Sequence, residues 1–264
     1  MIDFSTVSEL FVAGKEAHNL YINGSKVWEK GGQPAFQFTG LKLIALSANS
    51  TVKLQRTGNP PTVYLNYSLD EGLTWNTYTI GDTITLSNQG DSVCFVASQD
   101  NSAFANSTSS YHTFVMTGDW KAEGDLNSML FTNYVYPGTY TNRALYRLFQ
   151  NCAAITDVED LELKADSVPS TFYAYLLAGT SITKGPKIYA SSASSYAFAY
   201  MFSGCSSLSE IKLLNYTNAI PNNVNGPFQY WVRSVASIGT FYYNGTSHGT
   251  GTSSIPTGWT VQSF

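Results

Sequence analysis

The chain has 264 residues, of which 43% are hydrophobic and only 12% charged, and it carries a formal net charge of −4. It is long enough for two modest domains, each with its own core. The charged share is about half the ~25% of an ordinary globular protein, so Ser, Thr, Asn, Gly and Tyr must fill the surface. An acidic balance without a basic run speaks against a nucleic-acid partner, and no stretch reaches the length of a membrane span, so no membrane insertion is expected.

The opening MIDFSTVSEL has neither a basic n-region nor an apolar h-region, so a secretory signal is not expected there. Residues 1–32 should form a small β-hairpin module. Two short strands flank Ala13-Gly14, and in LYINGSKVWEK the pair Asn23-Gly24 suits a type I′ turn. A lone hairpin is marginal in water. Leu20, Ile22, Val27 and Trp28 are therefore expected to anchor it, on the next domain or on a partner subunit. Gly31-Gly32 before Pro34 marks a flexible joint.

Residues 33–123 read as an antiparallel β-sandwich. LKLIALS, TVKLQRT, TVYLNYS, TWNTYTI, TITLS, SVCFVAS and YHTFVMTG are short β-branched and aromatic runs separated by Gly, Asn, Asp and Pro turns. The polar loop 99–110 is a place for contacts. Within the domain Ser68, Asp70, Gly72, Thr74 and Trp75 spell S-x-D-x-G-x-T-W. This resembles the Asp-box of sialidases and other β-propellers, where Ser and Asp tie down a tight turn by local hydrogen bonds. There is one copy and no blade repeat, so the motif is expected to be a fold device and not a glycosidase site.

Residues 124–264 carry an internal repeat. ALYRLFQNCAAIT, TFYAYLLAGTSIT, FAYMFSGCSSLSEIKL and FQYWVRSVASIGTFYY place Leu145, Tyr173, Phe198 and Phe228 at one phase. Leu148, Leu176, Met201 and Trp231 follow three later, and Phe149, Leu177, Phe202 and Val232 come next. That i, i+3, i+4 spacing predicts one face of a short helix. Cys152, Thr180, Cys205 and Val235 follow, and then an aliphatic residue opens an alternating run, so each unit reads helix, tight turn, strand. Units of this size bury an apolar face only by stacking into a solenoid. Residues 124–143, with Met129, Leu130 and Phe131, should cap its start, and 245–264, with Trp259 and Val261, its end. The expected class is mixed α/β and multidomain.

No catalytic, cofactor or metal site is expected. His18, His112 and His248 lack a triad context, and the carboxylates of Asp157, Glu159 and Asp160 or of Asp70 and Glu71 lie in polar turns. Asp119, Glu123 and Asp125 offer oxygen ligands for calcium, but their spacing matches no calcium loop. Cys152 and Cys205 sit two units apart; at ~4.8 Å per strand their Cα atoms would be roughly 9–10 Å apart, beyond the ~7 Å limit of a disulfide. Aromatic content is the better clue, since Tyr and Trp make large, stiff contacts. Tyr189, Tyr216, Tyr242 and Tyr243, on or just after solenoid strands, are the candidate ligand contacts.

MFSGCSSLSEIKL resembles the leucine-rich repeats of BspA-like proteins, and the sandwich, repeats and closing IPTGWTV together resemble surface proteins of gut bacteria and their phages. LYINGSKVWE is similar to short modules of phage tail and other virion proteins. Only 201–213 follows the repeat consensus closely: Leu177 and Thr180 depart from it, as do Arg233, Ser234 and Val235. The resemblance implies a non-enzymatic virion protein, such as a tail fibre, receptor-binding or capsid-surface fibre protein. It would be assembled in the host cytoplasm and released by lysis. Its partners would be other virion subunits, through the N-terminal module, and a host surface glycan or protein; a homo-oligomer fits this, although no heptad repeat specifies one. The alternatives are a BspA-like cell-surface adhesin and a carbohydrate-active enzyme.

Overall fold

The computed structural model describes residues 38–132 and 140–264 in full, and within 1–37 the backbone of four strands. Two compact units result, Met1–Thr39 and Gly40–Phe264. In the first, Leu10–Val12 pairs with Lys15–Ala17, and Asn19–Ile22 pairs with Ser25–Glu29. Ile22 stands opposite Ser25, and the Asn23-Gly24 turn expected between them lies outside the described residues. The side chains of the expected anchors Leu20, Ile22, Val27 and Trp28 lie outside the described residues.

In the second unit all seven β-rich runs are strands. Ser110–Thr117, Ser50–Thr57, Ala105–Ser107 and Ile84–Leu86 form one antiparallel sheet. Asn76–Tyr78, Leu65–Ser68, Ser92–Ala97 and Leu41–Ala45 belong to a second, and the two faces meet at Phe95 and Phe114, whose ring centroids are 5.5 Å apart. The second sheet does not stop at the sandwich. Trp120–Asp125 pairs antiparallel with Leu41–Ala45 on one side and parallel with Leu161–Leu163 on the other. From there Lys184–Tyr189, Glu210–Leu214, Thr240–Tyr243 and Thr260–Gln262 continue as parallel neighbours. With Ile155–Asp157, which also pairs with Trp120–Asp125, the sheet has 11 strands. The boundary expected at 123/124 thus falls inside a strand shared by both halves, and one apolar cluster runs from Leu41 to Trp259.

The mixed α/β class and the helix–strand repeat are overturned. A 3₁₀ turn at Leu126–Met129 is the only helical element among the described residues. Where short helices were expected, the chain makes a coil of overlapping turns. Every fourth residue has positive φ: Arg143, Arg147 and Asn151, then Thr171, Tyr175 and Gly179, then Tyr196, Tyr200 and Gly204, then Tyr230 and Ser234. Backbone hydrogen bonds alternate accordingly. The Tyr146 N–H donates to Arg143 O within the coil, but those of Leu145, Arg147 and Phe149 donate to Phe172, Ala174 and Leu176 of the next coil. An α-helix would have satisfied those N–H groups four residues back. Here they hold coil to coil, as a sheet does.

The repeat register itself is correct. Leu145, Tyr173 and Phe198 each donate to the carbonyl just before their counterpart in the following coil, namely Phe172, Ala197 and Pro227. All twelve residues in the three aligned apolar phases are buried. A spacing of 3 and 4 suits a four-residue coil as well as a 3.6-residue helix, and that shared arithmetic is why the pattern misled. The solenoid therefore has a parallel sheet on one side, stacked turn coils on the other, and apolar side chains between.

Both ends of the stack imitate a coil. The Phe104 and Phe114 N–H groups donate to Ala144 and Leu148, the positions that Phe172 and Leu176 hold for the first coil. Loop 99–110, expected to be free for contacts, is partly consumed by this role: Phe104 is fully buried, and the buried Asn101 donates to Met129 O at 2.9 Å. Cys152 Sγ donates to Phe114 O just as Cys205 Sγ donates to Leu177 O of the coil before it. The cysteines are free and buried, and burial pushes the Cys152 thiol up to about 12. At the far end Val232 N–H donates to Thr252 O, Trp231 Nε1 donates to Ser254 O at 2.6 Å, and Trp259 Nε1 donates to Ala236 O at 2.8 Å.

Candidate recognition surface

The ion pairs among the described residues lie along the outer face of the long sheet. Lys42 meets Glu71 and Glu123 at 2.9 and 3.0 Å, Lys121 meets Glu123 and Asp160 at 3.0 and 2.8 Å, and Lys187 meets Asp160 at 3.1 Å. Farther along, Lys212 bridges Glu159 and Glu210, and Lys164 bridges Asp125 and Glu162. Hydrogen bonds from Lys184 come first among the influences that hold the Glu159 carboxyl below its ordinary range. Partly exposed pairs of this kind contribute little stability each; their effect is to leave this face with few free charges. Two calcium candidates are occupied in it, Glu123 by the lysines and Asp125 by Lys164 and the Asn127 N–H. Among the described residues no group of three or more His, Cys, Asp or Glu is arranged to hold a metal.

The Asp-box residues do what a turn requires. Ser68 Oγ donates to Asp70 Oδ1 at 2.6 Å and accepts from Gly72 N, while Asp70 accepts from the Thr74 amide and hydroxyl at 2.8 and 2.6 Å. Gly72 takes a positive φ of 87°. Burial would raise the Asp70 carboxyl, but the hydrogen bonds from Ser68 and Thr74 outweigh it and lower the value. With both oxygens engaged, Asp70 is a strut of the turn, and Trp75 is half-buried beside it.

Of the four candidate contact tyrosines, Tyr216 and Tyr243 point inward and are buried, at 4% and 3% exposure. They are core residues, Tyr216 set edge-on against Phe228 and Tyr243 edge-on against Phe241. Strand alternation sends neighbouring side chains to opposite faces, which puts Tyr189 and Tyr242 outward, half-buried on the same face as Lys187 and Lys212. The Lys212 ammonium lies 5.9 Å from the Tyr242 ring centroid.

A larger aromatic array lies on the coil side, at a position the tyrosine choice missed. Two residues after each of Leu145, Tyr173, Phe198 and Phe228 comes an outward, positive-φ residue: Arg147, Tyr175, Tyr200 and Tyr230. Tyr175 and Tyr200 stack at 4.7 Å with planes 5° apart, and Tyr200 and Tyr230 follow at 5.4 Å. Tyr146 continues the row from Tyr175 at 5.8 Å, and Tyr111 of the sandwich from Tyr146 at 6.3 Å. The Arg147 guanidinium sits 4.8–5.0 Å from the centroids of Tyr111, Tyr146 and Tyr175, a three-sided cation–π cage. A left-handed backbone costs a non-glycine residue roughly 1–2 kcal/mol. Stacked rings return about 0.5–1.5 kcal/mol per pair, so the ladder offsets much of the strain that places it. The half-buried rings Tyr175, Tyr200 and Tyr230 give this face an amphipathic stripe about three coils long.

Among the described residues His112 is the one histidine in the interior, 2% exposed, with Nδ1 3.1 Å from Phe104 O. Burial lowers its pKa below the ordinary 6.5, against the pull of the Phe104 carbonyl and with help from the Arg56 charge. The folded protein then binds fewer protons than the unfolded chain near pH 6, so stability rises with pH there and is lost as pH falls below 6.5. The urea midpoint should drop between pH 7.5 and 5.5, and His112→Gln should flatten that drop; an equal drop in the variant would assign it elsewhere.

No family model, curated protein or solved structure matches the chain.

Proposed function

We propose that this chain is a non-enzymatic recognition protein of a virion surface, whose N-terminal module attaches it to other virion subunits. Its coil-side tyrosine ladder, from Tyr111 to Tyr230, receives a neutral host glycan or surface protein. The ladder is the observation that carries this reading. Tyrosine supplies large contact area with few rotors to freeze, which is why it is enriched where binding energy concentrates. The long-sheet face has its charges paired to one another, so the ladder is the better candidate for a partner that is itself poor in charge. Because Tyr175 and Tyr200 cover each other's faces, the stripe offers ring edges and polar tips more than open ring faces.

The test begins with purified particles and with binding of the purified chain to host cells and a glycan panel. Mass spectrometry should find the chain in the particles; its absence there would sink the virion assignment and leave a cell-surface adhesin. A Tyr175→Ala/Tyr200→Ala double variant should bind at least about tenfold more weakly, as expected for two aromatic contacts, while keeping its folded circular dichroism spectrum. Binding unchanged in that variant would remove the ladder from the contact surface.

A further inference from the structure

A second site, independent of the tyrosine ladder, lies in the sandwich. The strand Ile84–Leu86 pairs with Ser50–Thr57 only as far as Val52. Beyond it the edge is met once more, where Leu54 N–H donates to the Tyr78 hydroxyl and Leu54 O accepts from Gly81 N. Backbone groups two residues apart on a strand face the same side, so the N–H and C=O of Arg56 are directed to that same edge. A cleft of about 470 Å³ opens there, lined among others by Lys53, Arg56, Asn59, Pro60, Ile80 and His112. Its volume falls in the range of small-molecule sites.

The chemistry of the lining has one sign. Six lysines of this unit, Lys42, Lys121, Lys164, Lys184, Lys187 and Lys212, are ion-paired. Lys53 and Arg56 make no ion pair among the described residues, and no acidic residue lines the cleft. Arg56 stands directly across from His112 in the strand ladder, and His112 is 2% exposed with Nδ1 committed to Phe104 O. Asn59, with Gln55 and Thr62, adds hydrogen-bonding side chains, while Pro60 and Ile80 give an apolar wall. A guanidinium fork matches a carboxylate in two parallel hydrogen bonds. Polar side chains opposite an apolar wall suit a ring with hydroxyl edges and a C–H face.

We propose that this cleft binds an acidic monosaccharide unit, a sugar ring whose carboxylate is held by Arg56. The remaining ring lies against Pro60 and Ile80, with Asn59 at its hydroxyls.

Heteronuclear NMR titration of the full chain tests this with three probes: methyl glucuronide, methyl glucoside and inorganic phosphate. The glucuronide should give saturable shifts confined to amides around Arg56, Asn59, Gly81 and His112, and the neutral glucoside should not. Arg56→Gln should weaken glucuronide binding at least about tenfold, as expected for loss of a bidentate charged partner. Lys53→Gln should change it little, because strand alternation sends that side chain to the face opposite Arg56; both side chains lie outside the core, so both variants should keep the dispersed spectrum of the parent. Equal shifts with the glucoside, no loss in Arg56→Gln, or saturation by phosphate alone would each overturn the assignment. A failed Tyr175→Ala/Tyr200→Ala experiment would leave this result untouched, because the two sites share no residue.

Discussion

Phe198→Ala is expected to lower the unfolding free energy by about 3–5 kcal/mol, the usual cost of emptying a phenylalanine site in a close-packed core. Phe198 is fully buried and lies between Tyr173 and Phe228, with centroids 5.7 and 5.2 Å away and planes within 19° and 4°. Trp231 flanks it at 6.3 Å. Three successive coils meet at this ring, so a cavity there loosens three contacts at once. The core and the long sheet run unbroken into the sandwich. Denaturant unfolding of the variant should therefore remain a single transition at a lower midpoint, followed by tryptophan emission and by far-UV circular dichroism. Non-coincident curves would mean that sandwich and solenoid unfold separately, and a loss below about 1 kcal/mol would mean that the site collapses without a cavity.

The second large effect is expected at Gly239. A methyl group on this residue would press on the Ser209 carbonyl oxygen, would stand 2.9 Å from the carbonyl carbon, and would stand 2.7 Å from the Trp259 ring. Ser209 O already accepts the Thr240 N–H at 2.8 Å, and Gly239 O accepts from Thr260 N–H at 2.9 Å. The obstacle on one side is backbone, which cannot rotate away, so Trp259 must shift and the last parallel strands must part. Overpacking of this kind costs about 1–3 kcal/mol, and each broken hydrogen bond adds about 1 kcal/mol. Gly239→Ala should lower the thermal midpoint and speed hydrogen exchange at Thr240 and Thr260 before it does so at Phe95 or Val93. Unaltered exchange at Thr260 would show that the strand tolerates the methyl group.

Strand content was readable because alternation has a short period and few imitators: Leu41, Leu43 and Ala45 are fully buried and the residues between them are not. The Asp-box was readable because its hydrogen bonds are local. The repeat register was readable from aligned apolar phases, yet its conformation was not, since helix and four-residue coil share a spacing of 3 and 4. What separates them is width. Phe172-Tyr173-Ala174 and Leu176-Leu177-Ala178 are buried in runs of three, wider than the stripe a surface helix would bury. The tyrosine ladder could have been found from the same alignment, where Tyr175, Tyr200 and Tyr230 share one column. Choosing tyrosines near strands selected Tyr216 and Tyr243 instead, because adjacency to a strand does not say which face a side chain takes. The unpaired edge at Arg56 was beyond reach, as it depends on where a distant strand stops.

The amides of Phe104 and Phe114 at one end, and the carbonyl of Thr252 at the other, occupy positions that a neighbouring coil would otherwise supply. Each end thus dictates alignment but not number. An extra unit of 25–30 residues, inserted between Val168 and Thr171 with its own strand and coil, would find the same donors below it and the same acceptors above. The span of the tyrosine stripe is therefore an adjustable length, open to duplication or loss of whole units while the sandwich and the closing segment stay as they are.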